Sequence, residues 1–208
     1  MIKLGFSGRK TAGKDFFAGK IHREMSLTGN NVTVLHFATP LKDLASALVA
    51  DDLKLVANWI AVYLTASHWQ HHRARRKITR ILTNIKKHCP DYLETENGKH
   101  RKLYQYLGTD LFRKVDEDIW VDIMSRRIRD LKGHQDSIIL IPDVRFPNEV
   151  EFCDYVVRVE GGVSGDKHIS ENHILRYHYV IANEPRLSEE MVGVHVKKIC
   201  KKFLTNDC

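Results

Sequence analysis

The sequence predicts an α/β protein: a mainly parallel sheet flanked by helices, with a helical lobe inserted on the sheet. Three observations carry that expectation. Short β-branched runs alternate with helical patterns at both ends of the chain. The run Ser137 to Ile141 is apolar and ends in Pro142-Asp143, as a central parallel strand does. The stretch from Leu41 to Leu131 is helical in its spacing and holds no strand pattern.

Taken in order, Ile2 to Phe6 reads as a buried strand, followed by a glycine-rich turn and a helix from about Lys14 to Leu27. Gly29-Asn30-Asn31 is a turn, and Val32 to Phe37 is a second strand by its β-branched content. Thr39-Pro40 predicts a helix start, a capping hydroxyl and then proline in first position, with helix to about Ala50. From Asp51 to about His88 the pattern stays helical, with Ile78, Ile81, Leu82 and Ile85 on one stripe. Asp91 to Lys99 reads as loop, and Arg101 to Leu107 as helix before Gly108. Trp120, Ile123, Met124, Ile128 and Leu131 share a helical face, with Asp116, Glu117 and Asp118 at its positive end. Tyr155 to Val159 and Tyr179 to Ala182 are two further strands, and Leu187 to Phe203 is a closing amphipathic helix.

The chain has 208 residues, 43% hydrophobic and 28% charged, which suits one soluble folded domain and excludes overall disorder. No window holds the apolar run of a membrane span, and Met1 to Gly5 has no signal-peptide layout. Cys89, Cys153, Cys200 and Cys208 form no Cys-x-x-Cys pair, so a reducing cytoplasm is the expected setting, with no disulfide framework. The net charge is +7. Seven basic residues (Arg73, Arg75, Arg76, Lys77, Arg80, Lys86 and Lys87) stand between His68 and Pro90 with no acidic one. Setting those aside leaves bases and acids equal in number. The basicity is therefore local, which argues against a protein built to coat nucleic acid. It is read most simply as the solvated face of an amphipathic helix. The scattered histidines show no metal spacing, and Trp59 and Trp69 read as core or interface residues rather than base-stacking platforms.

The strongest motif is Gly8-Arg9-Lys10-Thr11-Ala12-Gly13-Lys14-Asp15. It fits the P-loop spacing G-x-x-x-x-G-K, with Asp15 where Ser or Thr is usual, and it stands between a strand and a helix as that motif requires. Glycines let successive N–H groups point at phosphate oxygens, the helix start adds its positive end, and Lys14 would bridge the β- and γ-phosphates. Asp15 cannot donate as a hydroxyl does, but a carboxylate can hold magnesium directly or through water. The second motif is Asp143-Val144-Arg145-Phe146-Pro147-Asn148-Glu149. An acid at the carboxyl end of a buried strand lies where open α/β sheets bind ligands. Asp143 could hold magnesium-bound water or accept a proton, and Arg145 could clamp a phosphate with its fork.

These motifs, with Arg101 to Arg113 leading to Trp120 and the later His168-Ile169-Ser170-Glu171, resemble the bacteriophage deoxynucleoside monophosphate kinases of the P-loop kinase superfamily. The resemblance spans nearly the whole chain and implies a single P-loop kinase domain over 1–208. It implies a helical acceptor lobe at about 41–131 and a short lid at about 160–172. It implies transfer of the ATP γ-phosphoryl group to a deoxynucleoside monophosphate (dNMP), with magnesium held through Asp15 or Asp143. Gly8 to Asp15 would bind the ATP phosphates, with Arg158 and Asn183 also on the ATP side and Asn183 at the adenine edge. Lys42, Arg101, Gln105, Thr109, Arg113 and Trp120 would lie on the acceptor side, with Arg145 between donor and acceptor. Lys14, Asp143, Arg145 and Arg113 would carry the chemistry. Gly161-Gly162-Val163-Ser164-Gly165 to Glu171 looks like the lid. One departure stands out: such lids usually carry several arginines, and here only Arg158, with Lys167 and His168, is offered. The basic helix Arg73 to Lys87 is one candidate replacement.

Animal-type phosphomevalonate kinase is a related resemblance, through Gly-Lys-Asp, Pro40-Leu41-Lys42, Asp-x-Arg and Ser-Glu, but it lacks the pattern Gln105 to Arg113. Phosphomevalonate or dephospho-coenzyme A therefore ranks second as acceptor. A P-loop protein that binds nucleic acid and uses ATP as a switch ranks third. The expected partners are dNMP and ATP, with no membrane and no nucleic acid; a homodimer is left open. A viral source would make the setting host cytoplasm.

Overall fold

Parallel pairing organises the sheet. The computed structural model describes residues 1–64, 72–131, 137–162, 176–183 and 186–204. Among them, β1 (Ile2–Ser7), β2 (Val32–Val34), β3 (Ile138–Ile141), β4 (Tyr155–Glu160) and β5 (Tyr179–Ala182) lie in the order β2-β3-β1-β4-β5. Ile2 of β1 stands opposite Ile138, and Leu4 opposite Tyr155. Val32 pairs with Ile138 and Val157 with Tyr179, and every one of these ladders is parallel. β3 is buried at all its positions, the two-sided burial expected of a central parallel strand.

β2 stops at Val34 rather than Phe37. Leu35 N still reaches the Leu140 carbonyl at 2.9 Å, but Phe37 N donates to Asp143 Oδ1 at 3.0 Å, which takes the chain out of the ladder. α1 (Lys14–Leu27) begins and ends where expected. α2 (Ala38–Val49) starts one residue before Thr39, so Thr39 and Pro40 sit inside the first turn instead of capping it. Proline is tolerated there because its missing N–H has no helical partner to lose.

The helical stretch 51–88 is broken into α3 (Leu53–Leu64), α4 (His72–Leu82) and α5 (Ile85–His88). Asp52 Oδ1 accepts from Lys54 N and Leu55 N, both at 3.0 Å, and so opens α3. Thr83 Oγ1 and Asn84 Nδ2 bond back to the Thr79 and Arg80 carbonyls at 3.1 Å each, and α4 ends there. Of the expected stripe, Ile78, Leu82 and Ile85 are buried, while Ile81 is half-buried.

α6 (Arg101–Gln105) does not stop near Leu107 but widens into a π-helical segment, Tyr106–Arg113. α7 (Ile119–Asp130) buries Ile119, Trp120, Ile123, Met124 and Ile128. α8 (Pro147–Phe152) is too short to leave a periodic signal. α9 (Glu189–Ile199) starts two residues after Leu187, because the Ser188 hydroxyl accepts from Met191 N at 3.3 Å and caps it; Cys200–Leu204 continues as a π-turn.

The chain divides into two compact units, Met1–Phe37 with Leu131–Cys208, and Ala38–Asp130. In the first, Leu4, Phe6, Phe17, Ile21, Leu140, Val157 and Ile181 form the core with Val196, Ile199 and Phe203 of the closing helix. In the second, the rings of Trp59, Phe112 and Trp120 meet with centroids 5.4 to 6.5 Å apart. Trp59 is a core residue, as expected, its indole N–H donating to the Pro40 carbonyl at 2.7 Å. Trp69 lies outside the described residues. Among the described residues, no helix is long and apolar enough to cross a membrane.

One contact couples this fold to pH. Tyr179 Oη and His195 Nδ1 are 2.9 Å apart, and burial, then Lys198, holds the His195 pKa below its usual value. The folded chain therefore binds fewer protons here than the unfolded chain. The stabilisation is complete above the unfolded histidine pKa of about 6.5 and is lost as pH falls through the lower folded value. Melting curves should show a steeper fall in Tm from pH 7 to 5 for the wild type than for His195→Gln; equal slopes would remove the coupling.

Candidate active site

β1 ends at Ser7 and α1 starts at Lys14, so six residues must reverse the backbone at the carboxyl edge of the sheet. Gly8, Thr11 and Gly13 have φ values of 149°, 62° and 102°. Lys14 is buried, and its Nζ donates to the Gly8 carbonyl at 2.7 Å and the Arg9 carbonyl at 2.6 Å. Arg9 O also accepts from Ala12 N at 3.2 Å, so one carbonyl helps tie loop and lysine together. Arg9, Lys10 and Thr11 are exposed; Ala12 is buried. Asp15 is exposed in the first turn of α1, where a carboxylate suits the positive end of the helix.

Asn183 braces this loop. Its Nδ2 donates to the Ala12 carbonyl at 2.8 Å, and its Oδ1 accepts from Leu187 N at 3.2 Å. Each end of the amide thus makes one bond to main chain, which leaves one Nδ2 hydrogen and one Oδ1 lone pair for the adenine edge that the resemblance implies. Gly162 also lies against the loop: a Cβ there would stand 2.2 Å from the Lys10 carbonyl. The remainder of the expected lid, 163–172, lies outside the described residues.

β3 is the neighbour of β1, so Asp143 leaves the same edge as the loop. Asp143 Oδ1 accepts from Phe37 N at 3.0 Å, and Oδ2 is 4.0 Å from His36 Nδ1. Arg145 has an exposed side chain but a fixed backbone: the buried Glu149 carboxylate accepts from Arg145 N at 2.7 Å and Phe146 N at 3.2 Å. Sequence reading gave Glu149 no role. Its signal was a Glu three residues after Phe146 with Pro147 opening the helix, half of a capping box. Arg158, on β4, donates to Tyr177 Oη at 2.9 Å and stacks 5.2 Å over that ring.

The helical unit arranges the remaining candidates. Arg101, Gln105, Thr109 and Arg113 are spaced by four along α6 and the π-helical segment. On an unbroken α-helix each such step turns the row by about 40°, which would put Arg113 about 120° from Arg101. A π-helix has about 4.4 residues per turn, so the drift reverses after Gln105 and the four residues stay near one face. The Trp120 indole N–H donates to the Gly108 carbonyl at 3.0 Å within this segment. Trp120 is itself buried, so it acts from the core by holding the wide turn, not as an exposed platform for a base. Arg101 Nε lies 3.2 Å from Glu96 Oε2, Arg113 donates to the Glu117 carbonyl at 3.0 Å, and Lys42 is exposed on α2. Arg126 of α7, which sequence reading passed over, has both terminal guanidinium nitrogens shielded from solvent with no hydrogen-bond partner among the described residues.

A parallel α/β sheet with a lysine-bearing phosphate loop after its central strand, and an acid at the end of the next strand, defines a P-loop phosphotransferase. A family model for deoxynucleotide monophosphate kinases matches residues 61–192, more than half of the chain. The chain belongs to that family and is a kinase of deoxynucleoside monophosphates that uses ATP. No curated protein matches it at a significant level. The matched residues begin after the loop 8–15, so the family assignment does not depend on that loop. Neither favours phosphomevalonate, dephospho-coenzyme A or a nucleic-acid-bound switch.

Proposed function

We propose that the chain works as a single kinase domain whose helical unit, 38–130, takes the dNMP, while the phosphate loop takes ATP. The observation that carries this is the row Arg101, Gln105, Thr109 and Arg113, kept near one face inside the family match. Arg101 and Arg113 would neutralise the acceptor phosphate, and Gln105 and Thr109 would bond sugar or base, with Lys42 nearby in the same unit. Loop amides of Gly8 to Asp15 and Lys14 would grip the ATP phosphates. An acceptor α-phosphate oxygen attacks the γ-phosphorus in line as the bond from the γ-phosphorus to the β–γ bridging oxygen breaks, so that ADP leaves and the acceptor becomes the diphosphate. Lys14 and Arg145 neutralise the charge that spreads over the equatorial oxygens, and Arg113 serves the acceptor phosphate from the helical unit. Arg158 would serve the ATP side from β4.

Magnesium fits the residues present. It is ordinarily held by one or two carboxylates, with phosphates and waters completing the shell. Asp15, exposed at the start of α1, and Asp143, partly buried at the same sheet edge, supply those carboxylates. When bound there it would neutralise charge on the β- and γ-phosphate oxygens. A reducing cytoplasm suits the thiols: Cys89, Cys153 and Cys200 are unbridged and buried, and burial pushes Cys153 up to about 12 and Cys200 to about 11.

Coupled ADP release across the four dNMPs, their ribose forms and phosphomevalonate tests the reading. Turnover of at least one dNMP and none of phosphomevalonate is expected; the reverse would overturn it. Arg113→Ala should raise the KM for the dNMP about tenfold or more and leave that for ATP within about twofold. Equal rises in both would contradict the acceptor-side placement.

A further inference from the structure

Ile119, Ile123 and Arg126 fall at i, i+4 and i+7 on α7 and share one face. Ile119 and Ile123 are buried, at 0% and 1% exposure. Arg126 therefore continues a face that the helix otherwise fills with apolar side chains. Both of its terminal nitrogens are shielded from solvent, and neither has a hydrogen-bond partner among the described residues. The side chain as a whole is only half-buried, but two donor nitrogens out of water without a partner are still a cost to the fold. Asp122 and Asp130, one turn to either side, attract it, and Arg129 repels it, yet neither acid hydrogen-bonds to its terminal nitrogens. Burial is the main influence on the group and holds its pKa below the usual arginine value.

A buried polar group of this kind calls for a ligand to explain it. The two terminal nitrogens form a rigid fork that matches two oxygens of a carboxylate or phosphate. In a kinase of deoxynucleotides the anion that arrives is a phosphate. Arg158, at the start of the glycine-rich segment, is already engaged with Tyr177. Arg126 lies in the same compact unit as Arg101 and Arg113.

We propose that Arg126 is a phosphate ligand of the acceptor nucleotide, its two terminal nitrogens donating to two oxygens of the dNMP α-phosphate. This rests on the assignment of the helical unit to the acceptor. The free enzyme holds the charge at a cost in stability, and the nucleotide relieves it. Replacing the guanidinium by an apolar chain of similar length should then act with opposite sign on stability and on binding.

The test uses the full chain as Arg126→Met and Arg126→Lys, with the dNMP that the wild type turns over fastest as probe. Arg126→Met should melt at or above the wild-type temperature, and its KM for that dNMP should rise about ten- to hundredfold. Its KM for ATP should stay within about twofold, and the upward Tm shift that the dNMP alone gives the wild type should disappear. Arg126→Lys keeps the charge but not the fork, and should fold and show a smaller rise in the same KM. An unchanged KM for the dNMP in either variant would overturn the proposal. So would destabilised Arg126→Met with normal acceptor kinetics in Arg126→Lys, which would make the arginine a structural residue. The wild-type turnover measured alongside bears on the kinase reading; the difference between variants and wild type bears on Arg126.

Discussion

Lys14→Ala is expected to lower turnover by about 10²- to 10⁴-fold while leaving the melting temperature within a few degrees of wild type. The lysine is 9% exposed and bonded to two loop carbonyls at 2.7 and 2.6 Å, so its ammonium is positioned before any phosphate arrives. A charge held in place where the transferring phosphoryl develops its own charge needs no reorganisation during reaction. Losing one such group costs about 3–5 kcal/mol of transition-state stabilisation, and each 1.4 kcal/mol is tenfold in rate. Alanine keeps the start of α1 helical and removes no apolar packing, which is why the fold should survive. Steady-state ADP release and a thermal melt on the same preparation separate the two effects. Turnover near the wild-type value would remove Lys14 from the chemistry.

What could be read in the sequence was what is set locally. The glycine spacing, the flanking strand and the helix from Lys14 to Leu27 all depend on neighbours a few residues away, and all were found as expected. β2 was misread at its end because Phe37 N is taken by Asp143, 106 residues further along, and no local pattern encodes that bond. The π-helical segment was missed for a similar reason: the N–H that meets its Gly108 carbonyl belongs to Trp120, on the following helix. The bond from the Asn183 amide to Ala12, 171 residues away, is likewise invisible to any local pattern. Arg101, Gln105, Thr109 and Arg113 came from resemblance, not from spacing. With α-helical geometry assumed throughout, their row would have rotated away, and only the wider turn keeps it together. Arg126 is a conflict between levels: its position reads as core and its chemistry as surface. Such conflicts tend to mark function.

Gly8→Ala should be the most damaging small substitution in the phosphate loop, through stability as well as ATP binding. The backbone at Gly8 has φ +149°, a conformation side-chain-bearing residues avoid, and a Cβ would stand 2.2 Å from the Val159 carbonyl oxygen. That oxygen belongs to the backbone of β4, which is paired on both sides, so it cannot swing away as a side chain could. The strand or the loop must move. Displacing the loop disturbs the carbonyls that hold Lys14, so affinity for ATP falls together with stability. A loss of about 3 kcal/mol is expected, and for a chain of this size each kcal/mol shifts Tm by about 2–4 °C, giving a drop of about 6–12 °C. Gly19→Ala is the matching control. Gly19 lies inside α1 with nothing within 4 Å of a Cβ, so alanine there should raise stability by about 0.5–1 kcal/mol and leave ATP binding unchanged. Thermal melts of both variants, with and without a nonhydrolysable ATP analogue, decide the matter. If Gly8→Ala melted with the wild type and kept its shift with the analogue, the close approach of the loop to β4 would be wrong, and with it the rigid placement of Lys14.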